Sequence, residues 1–314
     1  MLALLFPGQG SQRVGMGRDI AEASPAARAV FETADRALGL PLAKHCFEGP
    51  EAELVATEIQ QPAILAMSVA LLRAIEERLG GPLPASYLAG HSLGEYTALV
   101  AAGALALADA LRLVRARGAY MQEAVAPGEG AMAALLGCDV AVVEAACDRA
   151  RAETGAWVEP ANFNGPGQTV ISGAAAAVEA ACAAARAAGA RRALPLAVSA
   201  PFHCRLMAPA AERLAADLAR VRFADPEPPV LANTTAEPNS DGARIRELLR
   251  RQVTEPVRFT ETVRRLASLG VTRVLEIGPS KVLTPLVARI EPGLARAAAT
   301  GASDLDAAVG FARG

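Results

Sequence analysis

Apolar and polar positions along this chain change period in a regular way. Residues 2–6, LALLF, form a short continuous apolar run that stops at Pro7-Gly8 and predicts a buried strand. Residues 61–80, QPAILAMSVALLRAIEERLG, predict a long helix closed by Gly80 and Gly81. ASYLA (85–89) predicts a second strand that runs directly into GHSLGEY (90–96), and helical periodicity resumes after Ser92 and again from about 107 to 125. Strands alternating with helices predict an α/β fold with a parallel sheet.

APGEG (126–130) reads as a linker, and the pattern beyond it changes. AMAALLG, VAVVEAACDRARAE, AWVEPANF, QTVISG, AAAAVEAACAAARAAG and RRALPLAV follow in the order β-α-β-β-α-β, the split arrangement of a ferredoxin-like subdomain. The expected subdomain is 126–198, inserted into a larger unit made of 1–125 and 199–314. In the second part of that unit helices are predicted near 203–221, 242–252 and 257–269, and RVLEIG (273–278) predicts a late buried strand. The alanine-rich stretch is explained by helix propensity alone.

Composition removes several classes of function. The 314 residues carry a formal net charge of −2 and only 4% aromatic residues, which argues against a nucleic-acid partner. No apolar run has the length of a membrane helix, so no membrane association is expected. MLALLF has no charged leader and meets PGQGSQ at once, so it is read as a strand and not as a signal peptide. Five cysteines (46, 138, 147, 182, 204), with no C-x-x-C, fit reduced thiols in a cytoplasm better than a disulfide frame or a zinc site. No metal and no cofactor is expected.

Gly90, Ser92 and Gly94 satisfy G-x-S-x-G, the pattern of a serine exposed on a sharp strand-to-helix turn. Such a serine needs a base, and the chain has three histidines. His45 reads as part of a polar helix end. His91 adjoins Ser92 and is expected to pack or bond within the turn. His203, in VSAPFHC, follows a strand and a proline and opens a helix, and is the best general base. A third, acidic member is harder to find. Glu159 is the least unsuitable carboxylate between Ser92 and His203, and more than 100 residues follow His203, where a hydrolase histidine normally lies late. A Ser–His dyad is the other option, because a backbone carbonyl can also set the imidazole tautomer.

FPGQGSQ (6–12) follows the first strand but is neither a dinucleotide fingerprint nor a Walker A loop. It reads either as a plain turn or as a donor loop at the carboxyl end of a strand. In the second case Gln9 supplies one backbone N–H to an oxyanion and Leu93, after the serine, supplies the other. In 107–125 the helical spacing puts Leu107, Ala110, Val114, Arg117 and Met121 on one stripe. Arg117 is therefore a candidate buried cation, which requires either an internal ion pair or a substrate carboxylate.

FPGQGSQ, QPAILAMSVALLR, GHSLGEY, RGAYMQ around Arg117, ANFNGPGQTVISG, SAPFH, QVTEPVRF and EIGPSKVL occur in order over nearly the whole chain. Together they resemble the malonyl-CoA:acyl carrier protein transacylase family. The resemblance implies a hydrolase-like large domain with a ferredoxin-like subdomain, and ping-pong transfer of malonyl from malonyl-CoA through Ser92 to the phosphopantetheine thiol of an acyl carrier protein. It implies His203 as base, Gln9 and Leu93 as oxyanion donors, and Arg117 as the site of the malonyl carboxylate. It also implies Gln252 as the residue whose backbone carbonyl orients the histidine in place of an acid. Asn162 and Gln168 fall on a motif that lines the cleft, His91 is counted with the substrate-binding residues, and Phe202 is the residue that crowds the acyl α-carbon. A monomer is expected, and Arg250, Arg251 and Lys281 form the expected basic rim for an acidic carrier.

Three other readings stay open at this level. One is a discrete acyltransferase serving a polyketide synthase, with the malonyl-loading subunit of malonate decarboxylase as a further relative. Another is a serine acyl hydrolase, against which Arg117 argues because simple acyl groups bring no carboxylate. The last is a carrier-binding module without activity.

Overall fold

The computed structural model describes residues 1–198 and 200–314. Ser199, where the second part of the expected large unit begins, lies outside the described residues. Among the described residues ten strands are formed: β1 (Leu2–Phe6), β2 (Ala85–Gly90), β3 (Gly130–Leu136), β4 (Val158–Gly165), β5 (Gln168–Ala174), β6 (Arg192–Pro195), β7 (Val230–Leu231), β8 (Pro238–Asn239), β9 (Arg273–Ile277) and β10 (Ala295–Ala299). They make two sheets, a six-stranded one in the order β10-β9-β1-β2-β7-β8 and a four-stranded one in the order β4-β5-β3-β6. The larger sheet is parallel except for the β7–β8 pair. This is the α/β class with a second, smaller antiparallel unit.

β1 shows why its sequence is uniformly apolar. Leu2, Leu4 and Phe6 pack into the core on one face of the sheet, and Ala3 and Leu5 into the core on the other. A central parallel strand is covered on both faces, so alternation in direction does not become alternation in polarity. The helix Thr57–Leu79 is buried around much of its circumference, which explains its long apolar stretch. It starts four residues earlier than the apolar pattern alone indicates.

The smaller sheet has the β-α-β-β-α-β order, with helices Val140–Thr154 and Ala175–Ala187 as its crossovers. Val143, Ala146, Cys147 and Ala150 of one helix and Ala177, Val178, Ala181, Cys182 and Ala185 of the other fill a core of their own beneath it. Small side chains at helical spacing let both helices lie close to the sheet. Asn162 of β4 forms a parallel bridge to Val257, and the Phe163 N–H donates to the Val257 carbonyl at 2.9 Å. These bonds tie the two units together beside the elbow at Ser92.

The predicted helix at 203–221 is shorter. A turn containing His203, whose φ is 58°, precedes a single 3-10 turn at Arg205–Met207 and the helix Ala208–Leu218. A residue in the left-handed region cannot sit inside a helix. The helix Pro25–Leu38 lies outside the elements expected from the sequence; Ser24 caps it by accepting from the Ala27 N–H, and Gly39 closes it.

Candidate active site

Three adjacent parallel strands deliver three parts of one site at their carboxyl ends, the place where open α/β sheets bind ligands. β1 ends at the loop bearing Gln9, β2 at Ser92, and β7 just before Asn233. Ser92 adopts φ 52° and ψ −108°, a conformation that costs a non-glycine residue about 1–3 kcal/mol. The turn is held from several sides. The Ser92 N–H donates to Asn233 Oδ1 at 2.7 Å, Asn233 Nδ2 donates to the Gly90 carbonyl at 2.6 Å, and Gln252 Nε2 donates to the Ser92 carbonyl at 3.0 Å. Gly94 lies so close to β1 that a Cβ there would stand 2.0 Å from the Phe6 carbonyl oxygen. That contact is the physical content of the last glycine in the motif.

Ser92 Oγ and His203 Nε2 are 2.7 Å apart, and His203 Nδ1 is 2.8 Å from the Gln252 carbonyl oxygen. A carbonyl only accepts, so Nδ1 carries the proton and Nε2 presents a lone pair to the serine hydroxyl. Burial, and after it the positive charge of Arg117, drives the His203 pKa down to about 3, so the resting imidazole is neutral. Glu159 is not its acid: that carboxylate accepts from the Arg205 N–H at 2.7 Å.

Arg117 is 2% exposed. Gly118 brings its helix, Leu107–Glu123, against the helix Thr57–Leu79, since a Cβ there would lie 2.6 Å from the Thr57 carbonyl oxygen. Arg117 Nη1 then reaches Gln61 Oε1 at 2.8 Å, and Nη2 donates to Gln252 Oε1 and to Ser92 Oγ, each at 3.0 Å. Its Nε is buried without a partner among the described residues. Among the described residues no carboxylate pairs with it within 4.0 Å. Of the two options the sequence left open, the internal ion pair is therefore not formed.

A cavity of about 510 Å³ opens onto these groups. Gln9, His91, Ser92, Arg117, Phe202 and His203 line it, and Asn162 reaches it from β4. Leu93 and Gln252 are not among the residues that line it. Leu93 opens the helix Leu93–Ala101, so its N–H has no acceptor within that helix. Gln168 is not brought to the cavity; it begins β5, paired with Leu136 and Gly165. His91 does not bond within the turn through its ring. Its Nε2 meets Asn164 Oδ1 at 2.8 Å and the ring packs on Phe259, while burial lowers its pKa. His45 sits in the helix Leu42–Glu48, with Nδ1 3.0 Å from Glu53.

Four contributors were not singled out from the sequence. Asn233 and Gln61 are uncharged amides in stretches with no periodic signal for a site. Glu95 lies inside the serine motif and is 3% exposed. Glu276, fully buried in β9, accepts from the N–H groups of Val282, Leu283 and Thr284. It thereby shapes the loop whose Ser280 hydroxyl donates to the Ser11 carbonyl at 2.9 Å, beside Gln9. The expected basic rim is also altered. Arg250 pairs with Glu247 at 2.9 Å and Arg251 with Glu255 at 2.7 Å, so both charges are locally offset.

The acyl transferase domain family matches residues 3–301. The malonyl CoA-acyl carrier protein transacylase of Escherichia coli strain K12 is 50% identical over 307 residues, covering 98% of each chain. An acyl carrier protein S-malonyltransferase from Vibrio cholerae has the same fold with a TM-score of 0.94 at 45% identity, over 98% of this chain and 99% of the other. A solved complex of a type II PKS acyl-carrier protein with its malonyl-transacylase contains a chain with a TM-score of 0.95 at 47% identity, over 98% and 99% of the two chains. A serine elbow with an imidazole on its hydroxyl, in a chain alike over its whole length to these enzymes, leads to one assignment: this chain belongs to the acyl transferase family and, within it, to the malonyl CoA-acyl carrier protein transacylases.

Proposed function

We propose that the chain transfers a malonyl group from malonyl-CoA to the phosphopantetheine thiol of an acyl carrier protein, for fatty acid biosynthesis, through a malonyl-serine intermediate. The observation that carries this reading is Arg117, a buried cation 3.0 Å from Ser92 Oγ whose side-chain partners among the described residues are all neutral. A substrate with a free carboxylate beside its thioester supplies the missing anion, in a bidentate geometry that suits a guanidinium. When that carboxylate binds, it takes the guanidinium away from Ser92 Oγ.

In the first half-reaction Ser92 Oγ attacks the thioester carbonyl and its proton moves to His203 Nε2. The developing imidazolium is stabilised by the Gln252 carbonyl, and the oxyanion by the N–H groups of Gln9 and Leu93. The carbon–sulfur bond breaks and His203 returns the proton to the CoA thiolate. In the second half-reaction His203 takes the proton of the carrier's thiol, the sulfur attacks the acyl-serine, and the proton passes to the departing Ser92 oxygen. Phe202, 7% exposed and lining the cavity, limits space at the acyl α-carbon. A methyl in such a fitted pocket is worth about 1–3 kcal/mol. Asn162 and His91 border the acyl group, and Gln168 acts at most through the β4–β5 turn.

In this reading residues 126–198 form the subdomain that closes one side of the cleft, and 1–125 with 199–314 form the unit bearing the nucleophile and base. The chain is read as working as a monomer, and in the cytoplasm, in keeping with five free thiols. The similarity to a transacylase solved with a type II PKS carrier supports a second reading, in which the carrier serves polyketide synthesis.

The test is intact-mass measurement after separate mixing with malonyl-CoA, acetyl-CoA and methylmalonyl-CoA, followed by transfer to carriers of both kinds. A malonyl adduct on Ser92, absent in Ser92→Ala and discharged by a holo-carrier, is expected. A Ser92→Ala protein that still gained malonyl mass would overturn the assignment, and the ratio of kcat/KM for the two carriers decides between the pathways.

A further inference from the structure

Glu95 is buried, belongs to the helix that Ser92 opens, and takes no direct part in the steps above. A glutamate three residues after a helix-capping serine ordinarily reaches back to the serine's own N–H. Here that N–H is taken by Asn233 Oδ1. The Glu95 carboxylate is turned the other way: Oε2 accepts from the Asn233 N–H at 3.1 Å and from Gln252 Nε2 at 2.7 Å. These are the two residues that clamp Ser92: Asn233 Oδ1 accepts from the Ser92 N–H, and Gln252 Nε2 donates to the Ser92 carbonyl. One carboxylate oxygen therefore ties together both holders of the strained serine.

The contact with Gln252 also settles which end of that amide faces Arg117. A carboxylate oxygen accepts, so it draws the Gln252 NH₂ toward itself and leaves Oε1 to face the guanidinium at 3.0 Å. The reverse orientation would set NH₂ against guanidinium, donor against donor. Gln252 gives its backbone carbonyl to His203 Nδ1 as well. Nucleophile, base and cation all bear on Gln252, and Glu95 holds it.

We infer that Glu95 is a positioning residue for acyl transfer, acting through Gln252 to hold Ser92, His203 and Arg117 in mutual register. The inference rests on the proposed role of Ser92. Its test is a double-mutant cycle read by single-turnover acylation with saturating malonyl-CoA, with the adduct mapped to its residue and the rate expressed per acylated molecule. Glu95→Ala and Gln252→Ala are each expected to slow acylation by about a hundredfold, the size of loss a small misplacement of reacting groups causes. KM for malonyl-CoA should change far less. Because both act through one contact, the double variant should be no slower than about threefold below the worse single variant. Glu95→Gln keeps an accepting oxygen and should recover part of the rate; should Glu95→Ala fail to fold, it carries the same cycle. Losses that multiply, or a lowered melting temperature with full rate per acylated molecule, would overturn the role of Glu95 while leaving Ser92 in place. An adduct mapped to another residue in the wild-type protein would overturn both readings.

Discussion

At the scale of single residues, the site rests on ionisable groups kept where water cannot reach them. Among the described residues Arg117 has neutral hydrogen-bond partners and a spare buried N–H, and in the proposed reaction its cation receives the substrate carboxylate. Arg117→Ala should lower kcat/KM for malonyl-CoA by at least about a hundredfold, the cost of leaving a carboxylate unpaired in a dry site. It should also narrow the preference over acetyl-CoA, and Arg117→Lys should restore only part of the rate because an ammonium lacks the planar fork. Full malonyl preference in Arg117→Ala, measured with both thioesters, would make the arginine purely structural.

His203 and Glu95 are perturbed by burial in ways that oppose each other. His203 titrates near 3 in the folded protein and near 6.5 when unfolded, so between these values the unfolded chain holds the extra proton and acid weakens the fold. For Glu95, burial raises the carboxyl from its ordinary 4.5 to about 7, so its stabilising contribution is complete below 4.5 and lost as pH rises through 7. From about 4.5 to 6.5 the two slopes offset each other. Glu95→Gln removes one of them. In urea unfolding its stability should rise more steeply with pH over that window than the wild type's; an unchanged slope would place Glu95 at an ordinary carboxylate value.

At the scale of elements, the strand-to-helix elbow is a piece of close backbone packing. Gly94 lets the helix Leu93–Ala101 start against β1, and the contact is with main chain that cannot swing aside. Gly94→Ala should cost about 1–3 kcal/mol or more by overpacking, seen as a lower melting temperature together with slower acylation. A variant with unchanged melting temperature would show that the main chain around Phe6 yields to the added methyl. The elements themselves differ in how readable they are. Long helices and apolar strands declare themselves by period, whereas β10, ARAAA, has a helix-forming composition and is a strand because its backbone pairs with β9. β7 has only two residues, too few to show a period.

At the scale of the whole molecule, the cleft lies where the two sheets meet, with Gln9 and Ser92 from one side and Met132 and Asn162 from the other. An acidic carrier would approach its rim. Arg250 and Arg251 are already paired, whereas Lys281 is exposed and follows Ser280, which bonds the Gln9 loop at Ser11. Lys281→Glu should raise the carrier KM and leave malonyl-CoA acylation nearly unchanged, while Arg250→Glu should act more weakly. Equal effects on both half-reactions in stopped-flow measurements would remove Lys281 from carrier docking.

By itself the sequence determined what is local. G-x-S-x-G needs no distant partner to announce a sharp turn, elimination among three histidines left His203, and helical spacing alone put Arg117 on a buried stripe. These follow from backbone sterics and periodicity, which act over a few residues. Only the tertiary structure decided what closes the site. It set the Gln252 carbonyl, which the sequence offered only through the family resemblance, against His203 in place of an acid such as Glu159, left Arg117 with no carboxylate within 4.0 Å among the described residues, kept Gln168 away from the cavity, and gathered Asn233, Gln252 and Glu95 around Ser92. Those groups are separated from Ser92 by up to 160 residues along the chain. A backbone carbonyl or a neutral amide leaves no periodic or compositional mark, so its role exists only once the parallel strands have carried their ends together.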